Sequence, residues 1–98
     1  VTRLLDPEGA HLAALRRLGD FRDRRVLELG CGDGRLTLGI AADAASVLAF
    51  DPDADAVGRA RRSLPVELCQ RVTYRVASAQ SIQLKPHEYD LAVFSWSL

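Results

Sequence analysis

The chain predicts an α/β fold, a parallel sheet in a three-layer αβα arrangement. Three observations predict it. Apolar strand-like segments alternate with helix-like segments from Val26 to Phe94. Three glycines at alternate positions, Gly30, Gly32 and Gly34, join the first of these strands to a helix. Leu91-Ala92-Val93-Phe94 is apolar on both faces, as a parallel strand buried between two layers must be.

The elements follow in order. Asp6-Pro7-Glu8 opens a helix with a capping side chain, a proline in the first turn and an acid near the positive end. Leu12, Leu15 and Leu18 recur at helical spacing and Gly19 stops it, so a helix over 7–18 is expected. Val26-Leu27-Glu28-Leu29 is a short strand, and Gly30 to Gly34 a tight turn. Leu36, Leu38, Ile40, Ala41 and Ala42 predict a helix over 34–43. Ser46 to Phe50 is a second strand ending at Asp51-Pro52, and Asp53 caps a helix over 53–63 that Pro65 closes. Val72 to Val76 is a third strand with Val72, Tyr74 and Val76 on one face. A weak helix over 78–84 and a loop over 85–88 lead to the fourth strand, 91–94. Parallel strands joined this way need right-handed crossovers, and their ligands sit beyond the carboxyl ends of the strands.

Composition narrows the function classes. The 98 residues make room for one small domain, 1–98. Acidic and basic residues balance at 13 each, so nothing pulls the chain toward nucleic acid or an anionic membrane. No apolar run approaches the roughly 20 residues of a membrane span. Cys31 and Cys69 form neither a metal spacing nor a disulfide framework, so a reducing, cytoplasmic setting is expected. His11 and His87 have no companion ligands nearby. The opening VTRLLDPEG lacks a signal-peptide pattern. Methionine is absent, and the chain stops just after an apolar strand whose far edge is expected to be open. An incomplete domain, truncated after the fourth strand, is the expectation. Self-association through that edge is the alternative.

The chemistry gathers at the glycine turn. Glycine belongs where φ is positive or a ligand lies against the backbone. The turn departs from the dinucleotide fingerprint G-x-G-x-x-G, because the third glycine falls one residue early and Arg35 follows it. Glu28, at the strand end, would repel a pyrophosphate and suit a ligand carrying a cation. Asp51, 21 positions after Gly30, is placed to accept hydrogen bonds from ribose hydroxyls, and Pro52 offers a flat face to an adenine ring. Asp53 can cap the next helix at the same time.

Val26 to Gly34, together with Asp51, the segment Val76 to Ile82 and the segment Tyr89 to Ser95, resembles the class I S-adenosylmethionine-dependent methyltransferases, four motifs in order over residues 26–95. The resemblance implies a Rossmann-like parallel sheet and S-adenosyl-L-methionine as cofactor. It implies that Glu28, Gly30, Cys31, Gly32 and Gly34 wrap the methionine part. Asp51 would hold the ribose, and Pro52, Ser78 and Ala79 would meet the adenine. The family often has an aspartate where this chain has Ser78. Ser95 would lie near the sulfur. The Phe94-Ser95-Trp96-Ser97 segment lacks the Asn-Pro-Pro-Tyr pattern of amino-methylating nucleic-acid enzymes. Trp96 reads as packing more readily than as a cation partner. No residue is named as a catalytic base, and the acceptor is expected to be a small molecule. Two other readings stand beside this one: a half-domain of an NAD-dependent oxidoreductase, and a non-catalytic module that binds a nucleoside cofactor or serves as a scaffold.

Overall fold

The computed structural model describes residues 3–5, 21–78, 80–81 and 88–95. Its strands are β1 (Arg3–Leu5), β2 (Arg25–Leu29), β3 (Ser46–Asp51), β4 (Val72–Val76) and β5 (Leu91–Phe94). Two α-helices, α1 (Arg35–Ala41) and α2 (Ala54–Ser63), and a 3-10 turn at Val66–Leu68 connect them. The five strands form one sheet in the order β1-β5-β2-β3-β4, and every pairing is parallel. The predicted helix over 7–18, and the stretch 82–87 holding the end of the weak helix and most of the loop, lie outside the described residues.

Alternation along each strand sends its side chains to two buried faces. On one face Val26, Val47, Ala49, Val72, Tyr74, Leu91 and Val93 form a core with Phe21 and the inner sides of both helices. Helix α1 contributes Thr37, Ile40 and Ala41, and α2 contributes Ala56, Val57 and Ala60, each set at helical spacing. On the other face Leu27, Leu29, Phe50 and Ala92 cluster, with Leu48, Ala77, Tyr89 and Phe94 packed around them. A fully buried side chain of this kind stabilises the fold by about 1.5–3 kcal/mol. Burial on both faces is the signature of an αβα sandwich, as the sequence predicts.

Two expectations are corrected. The segment Arg3–Leu5, at the chain's polar opening, is a strand, and it pairs with β5 through Arg3, Leu4 and Leu5 opposite Leu91, Ala92 and Val93. The far edge of β5, expected to be open, is therefore covered by β1. Leu91 and Val93 are 1% and 0% exposed. Val76, at the carboxyl end of β4 where the sheet core has run out, is 47% exposed. The helix expected over 34–43 is shorter, with Gly34 as its N-cap and Ala42 as its C-cap.

Candidate functional site

A cleft of about 420 Å³ opens at the carboxyl ends of β2, β3 and β5, a size within the range of small-ligand sites. The glycine turn, the start of α1, the end of β3 and the start of α2 supply its walls, and Ser95 its remaining side. It lies where β2 is flanked by β3 on one side and β5 on the other. In open parallel sheets ligands bind beyond the carboxyl ends of the strands.

Each glycine of the turn has its own reason to be there. Gly30, Gly32 and Gly34 have φ of 78°, 56° and 86°, the left-handed region that side chains disfavour. A Cβ on Gly34 would lie 2.5 Å from the Tyr74 hydroxyl oxygen and 3.1 Å from the Ala60 Cβ. Gly34 thus lets α1 settle onto β4 and α2, and faces away from the cleft. A Cβ on Gly32 would meet nothing within 4 Å and would project into open space. That is the geometry of a backbone against which a ligand can lie.

Asp51 is the hinge of the site. Its Oδ2 accepts the Gly32 N–H at 3.0 Å, and its Oδ1 accepts the Asp53 N–H at 2.8 Å. One carboxylate thereby locks the glycine turn to the loop that enters α2, with lone pairs left over for a ligand. Asp53 caps α2, accepting from the N–H groups of Asp55 at 3.0 Å and Ala56 at 3.2 Å.

Glu28 does not line the cleft. It is 0% exposed, beneath the turn, between α1 and the residue that follows β5. The Thr37 hydroxyl donates to its Oε1, and the Ser95 hydroxyl lies 2.5 Å from its Oε2. Burial pushes its carboxyl well above the ordinary range, and the hydroxyl hydrogen bonds oppose that only in part. Cys31 is buried in the same place, and desolvation together with Glu28 and Asp51 pushes its thiol up to about 12. A thiol so far from ionising is packing, not a nucleophile.

Of the predicted site residues, Gly30, Cys31, Gly32, Asp51 and Ser95 are brought together at the cleft. Glu28 and Gly34 lie beneath it. Pro52 is exposed outside the lining, and Ser78 is turned into a reciprocal knot with Ser81: each N–H meets the other's hydroxyl oxygen, at 3.1 and 3.2 Å. Ala79 and Trp96 lie outside the described residues. The lining also includes Asp33, Arg35, Leu36, Asp53, Ala56 and Arg59, which sequence reasoning passed over as sites. Ala56 and Arg59, at i and i+3 on α2, could have been found by extending the helix face that begins at Asp53.

The charges of the lining indicate what it accepts. Asp33 pairs with Arg35 at 3.2 Å and also accepts the Arg35 N–H at 3.4 Å. The Gly34 N–H goes to the Cys31 carbonyl at 3.0 Å. Two amides that a pyrophosphate would need at the start of α1 are therefore engaged within the turn, one of them by a carboxylate. Asp51 and Asp53 add further negative charge along the wall. The lining thus carries three carboxylates, Asp33, Asp51 and Asp53, and two guanidinium groups, Arg35 and Arg59.

Comparisons with known proteins agree with this geometry. Residues 26–98 match the methyltransferase domain family. The chain is 31% identical over 91 residues to an uncharacterized methyltransferase from Synechocystis sp., covering 93% of this chain and 41% of that protein. It therefore spans less than half the length of that relative. The crystal structure of an S-adenosylmethionine-dependent methyltransferase from Mesorhizobium loti superposes with a TM-score of 0.73 at 28% identity, covering 84% of this chain and 37% of that one. Phosphoethanolamine N-methyltransferase 1 of Haemonchus contortus superposes with a TM-score of 0.76 at 23% identity, covering 85% and 17%, a likeness of fold. The glycine turn locked by Asp51 at the carboxyl edge of a parallel sheet, together with the match over 26–98, makes this chain a member of the class I S-adenosylmethionine-dependent methyltransferase family.

Proposed function

We propose that the cleft binds S-adenosyl-L-methionine and that the chain supplies the cofactor-binding part of an enzyme that methylates a small molecule. The observation that carries this reading is the Asp51 carboxylate, held rigid by two backbone amides and facing a cleft whose anion-binding amides are already engaged. The residues present fit the cofactor. Open space above Gly32 admits its amino-acid part, Asp51 can accept from two ribose hydroxyls, and the acidic wall offsets its positive charge. The Haemonchus enzyme, a structural neighbour, was solved with S-adenosylhomocysteine.

The sulfonium of the bound cofactor makes its methyl group electrophilic. What this chain adds is orientation: Asp51 and the glycine turn fix the nucleoside, and the end of β5 borders the place where an acceptor would meet it. The acceptor would dock on residues beyond those described. No side chain of the cleft acts as a base in this reading. Both cysteines are free thiols, consistent with a reducing, cytoplasmic location. No helix among the described residues is long and apolar enough to cross a membrane.

The test is a thermal melt of wild type and Asp51→Ala with S-adenosylhomocysteine, run beside NADH. The expected result is a rise in Tm with S-adenosylhomocysteine alone, abolished in Asp51→Ala. A rise with NADH alone would overturn the reading.

A further inference from the structure

Glu28 occupies an unusual place for a carboxyl group. It has no exposed surface, and its partners among the described residues are two neutral hydroxyls, from Thr37 on α1 and Ser95 after β5. Among the described residues, the titratable groups that interact with it are acidic. Asp51 comes from the end of β3, Cys31 from the turn and Tyr74 from β4. A carboxylate there would be desolvated and surrounded by groups that oppose its charge.

Ser95 is the second half of the argument. Its hydroxyl oxygen lies 2.5 Å from Glu28 Oε2, 3.2 Å from the Gly30 carbonyl oxygen and 3.5 Å from the Leu29 carbonyl oxygen. It has three acceptors within reach and one proton to give. An ionised Glu28 would claim that proton. A protonated Glu28 can instead donate to Ser95, which then donates to Gly30. Gly30 lies in the lining of the cleft, and the Ser95 N–H already bonds the Leu29 carbonyl at 3.0 Å.

We propose that Glu28 serves as an uncharged acid in a hydroxyl relay, Glu28 to Ser95 to the Gly30 carbonyl, that fastens the end of β5 to the glycine turn and fixes the shape of the cleft. Glu28 and Ser95 are positioning residues, and Glu28 makes no contact with the ligand. Thr37 donates to the other oxygen. The inference rests on the proposed function only for its ligand readout.

The variants Glu28→Gln, Glu28→Ala and Ser95→Ala separate this role from a direct ionic contact. Glutamine keeps the pattern: its oxygen accepts from Thr37 and its amide donates to Ser95. Glu28→Gln is expected to bind S-adenosylhomocysteine within about twofold of wild type by calorimetry. Ser95→Ala is expected to weaken binding about three- to tenfold, the effect of one lost hydrogen bond, and Glu28→Ala more than that. If Glu28→Gln loses binding as completely as Glu28→Ala, the carboxylate charge is what matters and the relay is wrong. A second readout uses no ligand. Wild type should lose urea stability relative to Glu28→Gln as pH rises above the ordinary Glu value of 4.5, because the folded state holds a proton that the unfolded chain releases. Equal pH slopes for the two proteins would also overturn the relay. If wild type does not bind S-adenosylhomocysteine but the slopes differ, the proposed function fails and the relay stands.

Discussion

Gly32 and Gly34 sit two residues apart in one turn and are needed for different reasons. Both have positive φ, but only Gly34 has its Cβ position taken, by Tyr74 and Ala60. Gly34→Ala combines backbone strain of about 1–2 kcal/mol with overpacking of about 1–3 kcal/mol, so it should destabilise the fold severely in urea titration. Gly32→Ala carries the strain without the clash, and its methyl group enters the cleft. The expected pattern is a stability loss of about 1–2 kcal/mol with a disproportionate loss of S-adenosylhomocysteine affinity. The glycine pattern alone marked both residues as special. It could not say which one a ligand touches, because that depends on Tyr74, a residue forty positions away on another strand. Tyr74 itself is tightly placed: its hydroxyl is buried beside Thr37 but outside hydrogen-bond geometry, and desolvation pushes it up to about 12.

At the scale of elements, the loop from β3 into α2 is a pair of carboxylates with divided labour. Asp53 caps the helix and Asp51 braces the turn. Asp53→Ala should cost about 1 kcal/mol of stability, the usual effect of losing an N-cap. The Asp53 N–H to Asp51 bond uses backbone and survives that change, so ligand affinity should fall far less than in Asp51→Ala. The opposite ends of β2 and β5 are tied by Arg25 and Asp90. Asp90 Oδ2 accepts the Arg25 N–H at 2.8 Å, and its Oδ1 meets the Arg25 guanidinium at 3.3 Å. The Arg25 hydrogen bonds hold the Asp90 carboxyl below its ordinary range. That contribution is present above the unfolded value of 3.8 and is lost as pH falls through the lowered folded value. Its sign is opposite to that of Glu28. Asp90→Asn should therefore flatten the acid side of the stability profile, and Glu28→Gln the side above pH 4.5, both measurable by urea titration across pH.

For the molecule as a whole, the sheet of the described residues takes in a strand from the start of the chain. β1 pairs with β5, the last strand in sequence, so residues some ninety positions apart share a ladder. Such a closure joins the folding of the first residues to the strand that borders the cleft. Leu4→Pro removes a backbone donor from a three-residue strand and should release β1 from β5. The expected result is faster amide exchange along β5 and association at high concentration by size-exclusion chromatography, because an unpaired β5 edge is a template for another chain. Unchanged exchange along β5 would show that β1 contributes nothing to it.

The sequence by itself determined the layout from Val26 to Phe94. The bounds of β4 and β5 are those expected, and β2, β3 and α2 differ by a residue at one end. These elements are legible because each has a local cause: alternating or continuous apolar runs, a glycine turn, and an aspartate cap before a helix. The family, and the place of Asp51 at a strand end opposite the turn, were legible for the same reason. Tertiary structure alone decided two things. β1 is a strand only because β5 offers it an edge, and three residues carry no periodicity of their own. Glu28 reads in sequence as a ligand contact, but strand alternation turns it inward onto Thr37 and Ser95, residues 9 and 67 positions away. The physical reason is common to both. A side chain's burial and partners are set by whichever distant segment packs against it, and no local pattern encodes that.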